Sequence, residues 1–214
     1  GGRLAYDAAM AKEQSAPTFE EKAFHDFHLY TLDQKVSFAN NQTKQLELYP
    51  PTNIKAYSEY EYPIYGDGVK SMIKFKNTKE NGAGMPLPKG IIKVYKQDSD
   101  GNLEFIGEDS IEHTSKNEEV SINTGTAFDL VASTRLKEQT QVTKSITERL
   151  IQITLKNNSA DKKTIKVTHQ LSPNTRIIDA DYKYIQDKND KVTFSIDIAR
   201  DQELVWTFRE RSEY

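Results

Sequence analysis

The chain has 214 residues, enough for one large domain or two of about 100 residues each. Its 29 Lys and Arg against 32 Asp and Glu give a formal charge of −3, which excludes the global positive field of a non-specific nucleic-acid binder. With no cysteine it can form no disulfide, no thiolate metal site and no cysteine nucleophile, in either a reducing or an oxidising compartment.

Residues 1–23 are small and polar and read as a linker or the remnant of a longer N-terminal region. Thr18 with Glu21 has the spacing of a capping box for a short helix. No apolar core follows Arg3, so the start does not read as a signal peptide, and nowhere does an apolar run reach a membrane-spanning length. From Phe24 onward the apolar period is two. His25, Phe27 and Leu29 share one strand face, and Ile54, Ala56, Tyr60 and Tyr62 share another after Pro50-Pro51. Val69, Ser71, Ile73 and Phe75 then alternate with a lysine-rich face. Asp100-Gly101 between Ile91–Tyr95 and Leu103–Ile106 predicts a hairpin of the type I′ kind.

The second half continues in the same style. Ile151, Ile153 and Leu155 fall on one face of a strand, as do Ile165, Val167 and His169, then Val192, Phe194, Ile196 and Ile198, then Leu204, Trp206 and Phe208. A dozen short strands and no long amphipathic helix predict an all-β chain of two antiparallel β-sandwich domains. The polar stretch Lys137–Lys144 supplies the boundary. The first sandwich is expected over 24–140 and a second, immunoglobulin-like one over 141–214.

Several segments occur together in a recognisable order: Phe27–Leu32, Asn41–Leu46, Lys76-Asn77-Thr78, Gly82–Gly90, Gly107–Thr114 and Gly125–Leu130. In this the chain resembles the uncharacterised C-terminal domain, a domain of unknown function, of bacterial mucoidy-inhibitor-like proteins. The likeness runs from about Phe27 to Phe208 and is most specific in the Gly82–Gly90 loop and the Gly107-Glu108-Asp109 segment. It implies a β-rich domain at the end of an exported protein, periplasmic or at the cell surface, with a signal and an N-terminal domain upstream. It implies no activity.

The densest polar segment holds Glu108, Asp109, Glu112 and His113. One reading is a hard-cation site, or a carboxylate hydrolase with His113 as helper; the other is a buried structural corner with Asp109 and His113 bonded to backbone and the glutamates facing water. On a straight strand four residues span roughly 13 Å, too far to share an ion, so the structural reading is preferred. Met85, Pro86, Leu87 and Pro88 sit in a glycine-bounded loop without the spacing of a phosphate loop. They read as a rigid connection that can also contact a partner. Among the clustered tyrosines, Tyr60 and Tyr62 are in phase with Ile54 and Ala56 and belong to the core. Tyr57 is therefore the exposed candidate for stacking on a sugar or a protein. His169, in phase with Ile165 and Val167, reads as a satisfied core or sheet-edge histidine rather than a ligand.

No complete catalytic motif is present. The leading expectation is a non-enzymatic scaffold that binds a protein or its own N-terminal domain, with a glycan as a possible ligand, no nucleic acid, and no cofactor beyond a possible divalent cation. A hydrolase centred on Asp109, Glu112 and His113, and a carbohydrate-binding module using exposed tyrosines, are the alternatives.

Overall fold

The computed structural model describes residues 19–24, 27–32, 35–46, 49 and 52–214. It divides into two units, Gly1–Asn53 and Ile54–Tyr214. In the first, β1 (Phe19–Phe24) and β2 (Phe27–Leu32) form an antiparallel hairpin, with Phe19 opposite Leu32 and Phe24 opposite Phe27. Strand therefore reaches back into the stretch that composition reads as linker. Glu21, expected in a helix cap, lies opposite Tyr30 in this ladder. A strand's identity depends on its partner more than on its own propensity, which is why composition misses it. Residues 1–18, His25, Pro50 and Pro51 lie outside the described residues.

The second unit contains twelve strands among the described residues: β3 (Tyr57–Pro63), β4 (Lys70–Lys76), β5 (Gly90–Gln97), β6 (Leu103–Ile111), β7 (Glu119–Thr126), β8 (Leu130–Thr143), β9 (Ile146–Asn157), β10 (Lys163–Gln170), β11 (Thr175–Ala180), β12 (Tyr184–Gln186), β13 (Lys191–Ile198) and β14 (Gln202–Glu213). A six-stranded sheet runs β12-β13-β10-β3-β4-β7, a four-stranded sheet runs β11-β14-β9-β8, and β5-β6 stands as a separate hairpin. Pairing is antiparallel except between β3 and β10. No helix among the described residues is long and apolar enough to cross a membrane.

Period-two alternation builds one core from both sheets. Tyr62 of β3, Ile165 and Val167 of β10 and Val192, Phe194, Ile196 and Ile198 of β13 share it with Ile151, Ile153 and Leu155 of β9 and Trp206 and Phe208 of β14. Each such side chain contributes about 1.5–3 kcal/mol on burial. A smaller core of Phe75, Val120 and Ile122 receives Leu87, Ile92, Val94 and Ile111. The boundary expected in Lys137–Lys144 falls inside β8 and its turn to β9, and the main core takes Tyr62, Val69 and Leu130 together with residues beyond that point. The stretch has a linker's composition because β8 is an edge strand with its distal half exposed. Lys137 and Val142 are extra residues where its register with β9 shifts, the kind of irregularity that blunts an edge.

The β5-β6 hairpin is present, but its turn is not of the expected type. Only Gly101 takes positive φ, and the connection spans 98–102, with the Asp98 carboxylate accepting from the backbone N–H groups of Asp100 and Asn102, each at 2.8 Å. A two-residue type I′ turn needs positive φ at both central positions. Asp98 instead organises a longer loop.

The outward face of the six-stranded sheet carries a charge ladder. Lys74 donates to Glu59 at 2.6 Å and Lys166 pairs with the other Glu59 oxygen. Burial pushes the Glu59 carboxyl up, but the bonds from Lys166 and Lys74 outweigh it and hold the group below the ordinary glutamate range. A carboxylate with a lowered folded-state pKa adds stability above its unfolded pKa and loses it as pH falls through the folded value. The stability gap between wild type and Glu59→Gln is therefore expected to shrink between about pH 6 and about pH 3, measured by urea unfolding. A constant gap would show that the charge on Glu59 adds nothing.

Candidate functional site

The segment that follows β4 is built around Asn77, which is fully buried. Its Nδ2 donates to the carbonyls of Met85 at 2.7 Å and Ser115 at 3.0 Å, and its Oδ1 accepts from Gly84 N–H at 2.9 Å. Three bonds to one amide satisfy loop backbone that would otherwise be stranded from water. Gly84 has φ of 86°, and a Cβ there would lie 2.7 Å from the Lys79 nitrogen, so glycine is required. Leu87 exchanges two backbone bonds with Thr114, both 2.9 Å. Of the loop residues marked from sequence, Pro86 is buried and Met85, Leu87 and Pro88 are half-buried. The loop is a strap tied at both ends.

The polar segment of β6 separates onto different sides. Asp109 turns toward β7, where its Oδ2 accepts from Asn123 N–H at 2.8 Å, and so ties the hairpin to the six-stranded sheet. Gly107 permits that approach, since a Cβ there would lie 2.8 Å from the Thr124 carbonyl oxygen. Glu108 sits opposite Lys93 and is exposed. Lys89 collects the remaining two groups: its Nζ meets Glu112 at 2.8 Å, and its backbone N–H donates to His113 Nδ1 at 3.2 Å. Among the described residues no three His, Asp or Glu side chains gather closely enough to hold a metal ion. Asp109 and His113 both accept from backbone N–H groups, each from a different segment, but His113 is exposed and Asp109 only half-buried, so the expected buried corner is absent at this place.

Tyr57 does face outward, opposite in phase to buried Tyr62. Its hydroxyl donates to Glu119 at 3.0 Å, and burial together with that carboxylate pushes its pKa up. The ring is thus held against the sheet edge by a hydrogen bond.

One apolar feature of this region is not singled out by sequence reading. Ile92 and Val94 face the smaller core, while the alternate positions Ile91 and Tyr95 of β5, with Leu103 and Phe105 of β6, face outward and are each more than half exposed. Register places Tyr95 opposite Phe105, and their rings meet edge to face at 5.6 Å. A strand apolar on both faces reads as fully buried, and here the structure covers only one of them. Four large apolar side chains grouped on one hairpin face differ from apolar residues scattered singly over a surface, which need no explanation.

No protein-family model, curated protein or solved structure matches the chain.

Proposed function

We propose that the chain is a non-enzymatic β-sandwich module, immunoglobulin-like in build, of an exported bacterial cell-envelope protein, and that it acts as a structural and protein-interaction scaffold. The observation that carries this is the outward face of the β5-β6 hairpin, where Ile91, Tyr95, Leu103 and Phe105 present a rigid aromatic and aliphatic surface. Tyrosine and phenylalanine lose little rotamer freedom on binding, and central aromatic anchors dominate protein interfaces. The mounting is suited to that use. Asp109, Gly107 and the smaller core fix the hairpin to the body, so the face is preorganised. The sequence resemblance supports a periplasmic or cell-surface location. The partner of matching chemistry is a protein segment with an exposed apolar strand or hairpin.

Site-specific photocrosslinking in intact cells tests this. A benzophenone amino acid at Tyr95 or Phe105 is expected to give a discrete protein adduct that Leu103→Asp abolishes. The same probe at Ile185, equally accessible on β12, should give none. Adducts of equal yield at Ile185, or none at the hairpin, would overturn the proposal.

A further inference from the structure

A groove of about 640 Å³ lies where β3 and β10 run parallel, a size in the range of small-ligand sites. Its lining includes Glu61, Tyr65, Lys70, Asn123, Thr168 and Lys191. Two strands that carry Glu61 and Lys191 are held together there by side chains. The Glu61 Oε1 accepts from Thr168 Oγ1 and from Lys191 Nζ, both at 3.0 Å, so the carboxylate is fixed on the floor with its second oxygen left for another donor. Asn123 uses its backbone N–H on Asp109 and its Oδ1 on Gly125, which leaves the Nδ2 amide as a donor. Lys70 stands opposite Glu61 in register, yet among the described residues its ammonium has no ion-pair partner.

The rim is the more informative part. Tyr65 is 60% exposed and takes φ of 63°, in the turn that Gly66 N–H closes onto the Pro63 carbonyl at 2.8 Å. A bulky residue at positive φ is a conformational outlier that costs stability, and here a glycine would adopt the same backbone freely. The conformation is held by the Tyr65 N–H donating to Thr134 Oγ1 at 3.2 Å, an oxygen that also meets the Tyr62 hydroxyl at 2.9 Å. An exposed ring contributes little to the core in return. Strain at such a residue, beside a groove with fixed and unused hydrogen-bonding groups, marks a place where the side chain itself is needed.

We infer that this groove binds a sugar unit of a glycan, with the Tyr65 ring as the stacking platform for the C–H face and Glu61 and Asn123 as hydroxyl partners. A sugar ring has an apolar face and a rim of hydroxyls that both donate and accept. An aromatic ring flanked by a carboxylate and an amide matches both. Lys70 supplies the point charge that distinguishes sugars: an acidic sugar gives it a carboxylate, a neutral one only hydroxyl oxygens. The groove and the β5-β6 outer face are different surfaces, so Leu103→Asp should leave sugar binding unchanged, and one assignment can fail without the other.

Three probes suffice: cellohexaose, chitohexaose and hexagalacturonate, titrated into the whole chain and followed by amide chemical shifts. At least one is expected to move the signals of Tyr65, Asn123 and Lys191. Tyr65→Gly should weaken that binding by about tenfold or more while the melting temperature stays level or rises, since the strain is relieved. If hexagalacturonate is the ligand, Lys70→Met should weaken it more than tenfold; if a neutral hexamer is, the same change should matter little. Absence of shifts with all three at millimolar concentration overturns the inference, as does binding that survives Tyr65→Gly.

Discussion

Phe194→Ala is expected to lower the unfolding free energy by about 3–5 kcal/mol, which for a protein with a total of roughly 5–15 kcal/mol brings the chain close to unfolding. Phe194 is fully buried on β13, with ring centroids at 4.7 Å from Trp206, 5.4 Å from Phe208 and 5.5 Å from Tyr184. It is thus one of the contacts through which the six-stranded sheet meets β14 of the four-stranded sheet. Truncation to alanine loses the transfer free energy of the ring and leaves a cavity as well. The cavity cannot collapse easily, because β13 is paired on one side with β10 and on the other with β12, and its neighbours are rigid rings. Phe194→Leu keeps most of the volume and should cost less than about 1.5 kcal/mol. Urea unfolding checks both, read by far-ultraviolet dichroism as well as by the fluorescence of Trp206, because that single tryptophan lies against the mutated site. A loss below about 1 kcal/mol for the alanine variant would mean that the two sheets do not share a closed core at this point.

The aromatic contact shows what the sequence could reveal about this fold. β9, β10, β13 and β14 are legible because each is buried on one face, so Ile151 to Leu155, Ile165 and Val167, Val192 to Ile198, and Trp206 and Phe208 recur at period two. Which strands pair is a different matter. The parallel ladder from Ile165 opposite Tyr60 to Thr168 opposite Pro63 joins segments about a hundred residues apart, and periodicity carries no information about partners. An edge strand is hidden for the opposite reason. With no ladder on one side and an exposed distal half, β8 has no need of apolar alternation, and its polar residues imitate a linker.

The candidate sites were legible in the same uneven way. Tyr57 outward and Tyr62 inward follow from phase alone. The spacing argument speaks only against a shared ion and so favours backbone bonding of Asp109, whose partner, Asn123 of β7, depends on the hairpin folding onto a sheet it does not join by a ladder. Tyr65 could not be anticipated. In Pro63-Ile64-Tyr65-Gly66 the residue suited to positive φ is Gly66, yet Tyr65 takes that conformation. Local preference is overruled by the bond to Thr134, some seventy residues further along the chain.

Glu210→Ala carries the second large expected effect, a loss of about 3 kcal/mol. Glu210 is only 3% exposed, on β14 opposite Arg149 of β9, and its two oxygens meet Arg149 Nη1 at 3.3 Å and His169 Nε2 at 2.7 Å. One carboxylate thereby joins a strand of the four-stranded sheet to β10 of the six-stranded sheet. Its removal strands two polar side chains. Arg149 reaches solvent in part and can be rehydrated, which keeps the loss at the lower end of what breaking a buried pair costs, whereas His169 is nearly covered and packs against Phe208 at a centroid distance of 5.7 Å. Removing both partners of the short bond should therefore cost less than the sum of the single changes. The cycle of Glu210→Ala, His169→Ala and the double variant is expected to show coupling of about 1–2 kcal/mol. A loss below about 1 kcal/mol for Glu210→Ala would put the pair in the class of surface ion pairs. His169 also lines the groove beside Tyr65, so the same substitution should reach it. Hydrogen exchange is expected to quicken at Thr168 to Gln170 and around Tyr65, while the amides of β5 and β6, packed on the smaller core, keep their rates.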